Sequence, residues 1–118
     1  MHFTSETSAN GVIERNFTLG EITGVLWSPA SRTVGAPLLL SGHSGGMHKK
    51  APGLVAGALH CVTTYGYTVA AIDAPGHGDR PRNTQDRRWG DAIHRARAAG
   101  EPIAPIVIDY NTLLAERA

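Results

Sequence analysis

Alternating apolar and polar residues near the start of the chain predict a pair of β-strands. Residues 12–19 (VIERNFTL) alternate loosely, and residues 22–27 (ITGVLW) are rich in β-branched and aromatic side chains. Because Gly20 lies between them, the two segments are expected to form an antiparallel hairpin or two neighbouring strands. Residues 28–36 (SPASRTVGA) have the composition of a turn, so the predicted hairpin region covers residues 10–36.

A strand, a helix and a second strand are predicted over residues 37–82. Residues 37–40 (PLLL) form a short apolar run, which is typical of a strand buried on both faces of a parallel sheet. Pro52 suits the first turn of a helix and Gly66 suits its end. Residues 67–73 (YTVAAID) form the next strand, and the crossover of such a βαβ unit is expected to be right-handed. The apolar face expected on the helix consists of Leu54, Ala58, Leu59, Val62 and Tyr65.

Two helices are predicted over residues 83–118. Asn83 or Thr84 is expected to cap one helix, and Asn111 or Thr112 a second one, TLLAERA, which ends with the sequence. The first helix is assigned an apolar face of Trp89, Ile93 and Ala96 and a solvated charged face of Asp86, Arg87, Arg88, Asp91, Arg95 and Arg97. The segment VAAI (residues 69–72) favours a strand with neighbours on both sides, so that strand is expected to keep an open edge through which the chain associates. The pattern predicts one incomplete α/β domain over residues 1–118.

Composition narrows the function classes. The 118 residues are 42% hydrophobic and 18% charged with a net charge of +1, which argues against nucleic-acid and membrane partners. Cys61 is the single cysteine, so no intrachain disulfide forms, and the first twenty residues lack the apolar core of a secretion signal. A cytoplasmic protein is the expectation. Cys61 is expected to be a packing residue.

The glycine-rich segment GHSGG after the apolar run allows three interpretations. It fits G-x-S-x-G, which makes Ser44 a candidate nucleophile, but MHKKAPG then delays the helix that such a turn needs. It is similar to the glycine loop of short-chain dehydrogenases with Asp73 as the ribose acid, yet His48 stands where the last glycine belongs. The context favours the third interpretation, a loop whose backbone N–H groups face a developing negative oxygen.

The same residues carry a family resemblance. Residues 42–49 (GHSGGMHK) and 66–80 (GYTVAAIDAPGHGDR) resemble the G-H-G-G-x-x-H-K and G-(F/Y)-x-V-x-x-I-D-x-P-G-H-G-x-R motifs of bacterial α/β-hydrolases of the dienelactone-hydrolase or esterase type. The resemblance is specific over residues 37–81 and looser over the hairpin and residues 108–118. It implies the N-terminal portion of an α/β-hydrolase fold, with helical segments over 83–118 that lead toward a missing nucleophile strand.

The resemblance also implies roles for two loops. The oxyanion hole is expected from His43, Ser44, Gly45 and Gly46, although Ser44 replaces the family's glycine. The rim of the substrate site is expected from Asp73, Pro75, Gly76, His77 and Gly78. The family's nucleophile, acid and base lie C-terminal to this region, so neither Ser44, Asp79 nor His94 is given a catalytic role.

These inferences predict a fragment of a serine-type hydrolase that acts on a small ester-like substrate without a cofactor and does not catalyse alone. The alternatives are a dinucleotide-binding domain and a non-catalytic interaction module. A metal site formed by His43, His48 and His77 with Asp73 and Asp79 is not favoured, since HGD is too short a signature. Lys49 and Lys50 either attract an anionic substrate or form a solvated approach to the helix.

Overall fold

The computed structural model describes residues 1–31 and 35–117, which form a mixed five-stranded sheet and three helices. The chain divides into two compact units, Met1–Arg80 and Pro81–Ala118. This division falls close to the predicted boundary between residues 82 and 83, while the single-domain assignment stays a prediction. Part of the turn expected over 28–36 lies outside the described residues. Within the described ranges, no helix is both long enough and apolar enough to cross a membrane.

The first three strands form consecutive antiparallel hairpins. They are β1 (His2–Ala9), β2 (Val12–Leu19) and β3 (Ile22–Pro29). The predicted hairpin of β2 and β3 is confirmed, with Leu19 opposite Ile22 across the turn. Strand β1 was not expected because all of its residues are exposed, so no buried face marks it in the sequence. Asn10 and Gly11 both have positive φ, as a tight hairpin turn between twisted strands requires.

The other two strands complete the sheet in the order β1-β2-β3-β5-β4. Strand β5 (Thr68–Ile72) lies between β3, which is antiparallel to it, and β4 (Leu38–Ser41), which is parallel. The two neighbours predicted for β5 are confirmed, but the open edge expected on β5 is wrong, because β4 covers it. The burial predicted for β4 is also wrong: Leu38 is 58% and Leu40 82% exposed, since among the described elements α1 packs on β2, β3 and β5 and β4 has extensive contact with β5 alone.

Helix α1 (Pro52–Tyr65) packs on one face of this sheet. It begins at proline and ends at Gly66 in the left-handed conformation, as predicted. Leu59 and Tyr65 were assigned to its buried face but are exposed, because Val55 and Cys61 flank the contact instead. The core beneath the helix is formed by Val12, Val25, Trp27, Ala58, Val62, Val69 and Ala71.

The second unit is a pair of helices. Helix α2 (Thr84–Ala98) begins with a capping box, in which Asn83 and Asp86 each bond the other's backbone N–H. Asp86 was expected on a solvated face but is buried, because Tyr110 and Arg117 of α3 (Ala104–Arg117) also bond its carboxylate. Helix α3 begins well before the predicted cap at Asn111 or Thr112. It starts at Ala104, and Pro105 is tolerated because it lies in the first turn.

Candidate active site

Two loops lie together at one edge of the sheet. The glycine loop, residues 42–51, follows β4, and the rim loop, residues 73–80, follows β5. Because β4 and β5 are adjacent and parallel, their carboxyl ends meet at the same edge. This is the position at which open α/β sheets bind ligands, and it is where the sequence predicted the two loops to act.

Lys49 and Asp73 join the two loops. The backbone N–H of Lys49 donates to Asp73 Oδ1 and its Nζ donates to Oδ2, each over 2.8 Å. Thr23, at the start of β3, donates its hydroxyl to Asp73 Oδ2 over 2.6 Å, and the Asp79 N–H donates to the same oxygen over 3.1 Å. One carboxylate therefore ties together β3, the end of the glycine loop and the rim loop.

Both charged groups of this junction are enclosed by the protein. Burial alone raises the pKa of Asp73, but the hydrogen bonds from Lys49 and Thr23 outweigh it and lower the pKa to about 2. Burial also opposes the charge on Lys49, yet Asp73 and Asp79 raise the pKa of this ammonium. The expectation that Lys49 is solvated or faces an anionic substrate is therefore wrong, because its charge is neutralised within the protein.

The His43 side chain connects the glycine loop to the rim loop. Its Nε2 accepts a hydrogen bond from the backbone N–H of Ala74 over 2.9 Å. A backbone N–H can only donate, so this Nε2 carries no proton and the neutral ring carries its proton on Nδ1. That Nδ1–H donates to the backbone carbonyl of Ser44 over 2.9 Å. His43 therefore acts here through its side chain on the backbone of two loops.

His77 makes the reciprocal connection from the rim loop. Its Nε2 faces the backbone N–H of Gly46 at 3.4 Å, and its Nδ1 lies 3.0 Å from the carbonyl of Pro75. The two imidazole rings are tilted by 46° to each other, with their centroids 5.2 Å apart. Each loop thus contributes one histidine whose Nε2 faces a backbone amide of the other loop.

The amides of the glycine loop divide into two sets. Within the described residues, five loop N–H groups have no hydrogen-bond partner, those of Gly42, His43, Ser44, Gly45 and His48, and Ser44 and Gly45 are the adjacent pair in which both residues are exposed. The Gly46 N–H faces His77, and the Met47 N–H closes a turn onto the Ser44 carbonyl over 3.1 Å. Ser44 and Gly45 thus present two adjacent backbone donors that no other described residue uses.

Ser44 does not occupy a nucleophile elbow. Helix α1 starts only at Pro52, so Ser44 is not at the strand-to-helix corner that presents a nucleophile. The neighbouring His43 uses both ring nitrogens on backbone groups, which leaves none to accept the hydroxyl proton. The geometry therefore does not support Ser44 as a nucleophile.

The rim residues lie at different depths. Pro75 and Gly76 are buried, and His77 and Gly78 are half-buried. The Asp73 carboxylate lies beneath the loop, where a Cβ on Gly78 would overlap it. Asp73 therefore supports the rim from below and is closed to a ribose hydroxyl, which removes the residue on which the dinucleotide hypothesis depended.

The predicted histidines and acids do not gather around a metal position. No group of three or more His, Cys, Asp or Glu side chains in residues 1–31 and 35–117 is arranged to hold a metal ion. Both ring nitrogens of His43 and of His77 face backbone groups instead. Of the other polar residues considered, Lys50 reaches Glu14 over 3.3 Å, and Cys61 packs against the core as expected.

The contact between Lys49 and Asp73 was not predicted from the sequence, although both residues belong to the motifs that were identified there. Lys49 ends the GHSGGMHK motif and Asp73 stands in the IDAPGHG motif, so each was assigned to a loop but not to the other. A buried lysine requires a buried acid, and the two motifs contain one of each near the ends of adjacent parallel strands. Thr23 carried no signal, since it lies in an unrelated strand.

Solved structures of esterases resemble this chain. A cold-adapted esterase from an Arctic intertidal metagenomic library, in a PEG-bound complex, is 30% identical with a TM-score of 0.63, over 84% of this chain and 51% of the esterase. An acetyl xylan esterase from Paenibacillus sp. R4 is 16% identical with a TM-score of 0.51, over 70% of this chain and 27% of that one. The chain thus spans about half the length of the Arctic esterase. No family model and no curated protein matches the sequence.

These likenesses bear on the fold. The structural neighbours are esterases, and the mixed sheet with its helices is consistent with a partial α/β-hydrolase fold. The expectation of a hydrolase-like α/β fold is supported at this level. The likenesses do not test the individual site residues, so the oxyanion and rim assignments stay predictions.

Proposed function

We propose that this chain is the part of a carboxylic ester hydrolase that supplies the oxyanion hole, through the backbone N–H groups of Ser44 and Gly45. The observation that carries the proposal is a pair of adjacent exposed amides, without a partner in the part of the chain that the structure describes, at the carboxyl end of a parallel strand. The similarity to an Arctic esterase at 30% identity supports the choice of an ester as substrate. The rim loop, held beside the glycine loop by Asp73 and His77, borders the same position.

The chemistry of the two amides follows from ester hydrolysis. Attack on an ester carbonyl moves negative charge onto its oxygen, and two backbone donors aimed at that oxygen stabilise the charge more than they stabilise the substrate. Loss of one such donor typically lowers kcat by about 10²–10³-fold. His43 and Lys49 each bond the rim loop, at Ala74 and Asp73, so the donors are held in place before the charge develops.

The attacking nucleophile, the acid and the base belong in this proposal to polypeptide outside the 118 residues. The coding DNA beyond Ala118 tests it directly. A frame that continues into a strand followed by G-x-S-x-G or G-x-C-x-G supports the proposal. A stop codon at that point, together with no hydrolysis of p-nitrophenyl acetate by the chain, contradicts it.

The donor role is tested by a substitution in the longer polypeptide that this proposal expects to continue beyond Ala118. Gly45→Pro removes one N–H donor, and we expect kcat for p-nitrophenyl acetate to fall about 10²–10³-fold with KM little changed. The matched control is Met47→Ala, which keeps every backbone amide in the same exposed loop. Equal losses in both variants would show that the loop, rather than the Gly45 amide, is what the reaction needs.

A non-catalytic interaction module is the second candidate. It is favoured by one observation, the exposed leucines of β4, which offer an apolar strand edge. The ester assay on the 118-residue chain distinguishes a non-catalytic module, which predicts no turnover, from an enzyme with Ser44 as its nucleophile. Turnover that disappears in Ser44→Ala would restore the nucleophile hypothesis, whereas the proposal predicts no turnover that depends on Ser44.

A further inference from the structure

We propose that His43 is a positioning residue that sets the direction of the Gly45 amide through the carbonyl of Ser44. The inference rests on the proposed function only for the use made of that amide. The first step is the geometry of one peptide unit. In a trans peptide the C=O and the following N–H point in opposite directions, and none of the described peptide bonds is cis.

The Ser44 carbonyl is held from the protein side. It accepts one hydrogen bond from His43 Nδ1–H over 2.9 Å and a second from the Met47 N–H over 3.1 Å. Both donors belong to the chain, so the carbonyl faces the loop's own interior. The Gly45 N–H lies in the same peptide plane and points in the opposite direction. It therefore faces away from these groups and toward the exposed side of the loop.

The tautomer of His43 makes this arrangement specific to histidine. The Ala74 N–H requires an unprotonated Nε2, which places the proton on Nδ1, and Nδ1–H is the group that holds Ser44. The rim loop thus selects the tautomer, and the tautomer orients the Gly45 amide. A side chain that fills the same space without these two nitrogens loses both connections.

His77 completes the selection of donors. Its Nε2 faces the Gly46 N–H at 3.4 Å, so this amide is directed at the rim loop. The pair of histidines accordingly keeps Gly46 out of the donor set and directs Gly45 into it. His43 and His77 belong to different loops, so the donor set forms only when the two loops are in place together.

The tautomer of His43 is the first test. ¹⁵N NMR of the imidazole in the 118-residue chain should show a neutral ring with its proton on Nδ1, whereas free histidine favours the other tautomer. An Nε2–H tautomer would overturn the proposal. This measurement uses the wild-type chain, so it decides even if every variant of His43 fails to fold.

The orientation of the Gly45 amide is the second test. His43→Phe keeps an aromatic ring but removes both hydrogen bonds, and His60→Phe is the matched control on the exposed side of α1. We expect amide exchange at Ala74 to accelerate about tenfold or more in His43→Phe, with the Gly45 N–H residual dipolar coupling changed. Both values should be unchanged in His60→Phe.

The outcomes separate this proposal from the ester proposal. Faster exchange at Ala74 with an unchanged Gly45 coupling in a folded His43→Phe variant would overturn the positioning role. Neither NMR readout depends on turnover. A stop codon after Ala118, together with no hydrolysis of p-nitrophenyl acetate by the chain, would therefore contradict the ester function while the orientation of Gly45 is decided separately.

Discussion

Lys49 donates to both oxygens of the Asp73 carboxylate, from its backbone N–H and from its Nζ, and neither side chain is open to solvent. The pair connects the glycine loop to the first residue of the rim loop. Two enclosed charges of this kind add little to stability beyond what apolar residues would give, but removal of one leaves the other without compensation. Stability should therefore respond strongly to a change in either partner.

Asp73→Asn should destabilise the chain by about 3–5 kcal/mol, because the Lys49 ammonium then stays buried with only Asp79 as an anionic partner. Urea unfolding followed by the fluorescence of Trp27 measures this in a Trp89→Phe background, since the chain has two tryptophans. The control is Asp79→Asn, whose side chain is 78% exposed and whose loss should cost about 1 kcal/mol or less. Equal costs for the two variants would mean that enclosure of the pair is unimportant.

The stability of the first unit should fall in acid because of Asp73. Its pKa is lowered from 3.8 to about 2 in the folded chain, so the folded state binds this proton less readily than the unfolded state. The stabilisation is complete above about pH 4 and is lost as the pH falls to about 2, and it amounts to about 2 kcal/mol. Urea unfolding from about pH 6 to pH 2 measures it. Since Asp86 also has a lowered pKa, the profile is compared in an Asp86→Asn background.

Gly78 is required by its conformation and by its neighbour. Its φ is +56°, and a Cβ at this position would overlap the Asp73 carboxylate. Gly78→Ala should therefore destabilise the chain by about 2–4 kcal/mol. The control is Gly57→Ala in α1, where a Cβ meets nothing and helix propensity favours alanine by about 1 kcal/mol. A Gly78→Ala variant as stable as the wild type would show that the rim loop and the carboxylate move apart freely.

The fold was predictable where one face of an element is buried. The β2–β3 hairpin, α1 and β5 were found because their apolar positions recur with the period of a strand or a helix. Strand β1 was missed because it is exposed along its whole length. The start of α3 was missed because Pro102 and Pro105 mark a loop as readily as the first turn of a helix.

The site was predictable as two loops but not as a network. Local sequence placed the glycine loop after one strand and the rim loop after the next, and the parallel pairing then brings them together. Which atom bonds which depends on side-chain directions across segments far apart in sequence. The bond between Thr23 and Asp73 is an example, since fifty positions separate the two residues. Burial of Lys49 reversed a prediction made from its charge alone.

In the second unit, Asp86 should account for much of the stability. Its carboxylate accepts the backbone N–H of the N-cap residue Asn83, and it also accepts hydrogen bonds from Tyr110 over 2.9 Å and from Arg117. Asp86→Ala should cost about 2–3 kcal/mol, and Tyr110→Phe about 1 kcal/mol, in unfolding followed by circular dichroism. Asp91→Ala, on the exposed side of the same helix, should cost less than about 0.5 kcal/mol. A similar loss at Asp91 would attribute the effect to helix charge rather than to the Asp86 contacts.

The exposed edge of β4 should make the isolated chain associate. Leu38 is 58%, Leu39 37% and Leu40 82% exposed, and within the described residues this strand pairs on one side only. Apolar side chains beside unpaired backbone groups favour pairing with another strand, and a charge at the edge opposes it. Leu40→Lys should therefore shift the chain toward monomer in sedimentation velocity. Leu59→Lys, on α1 away from the edge, is the control because it places the same charge on another exposed leucine. Wild-type chain that stays monomeric at high concentration, or an equal shift in both variants, would show that association does not depend on this edge.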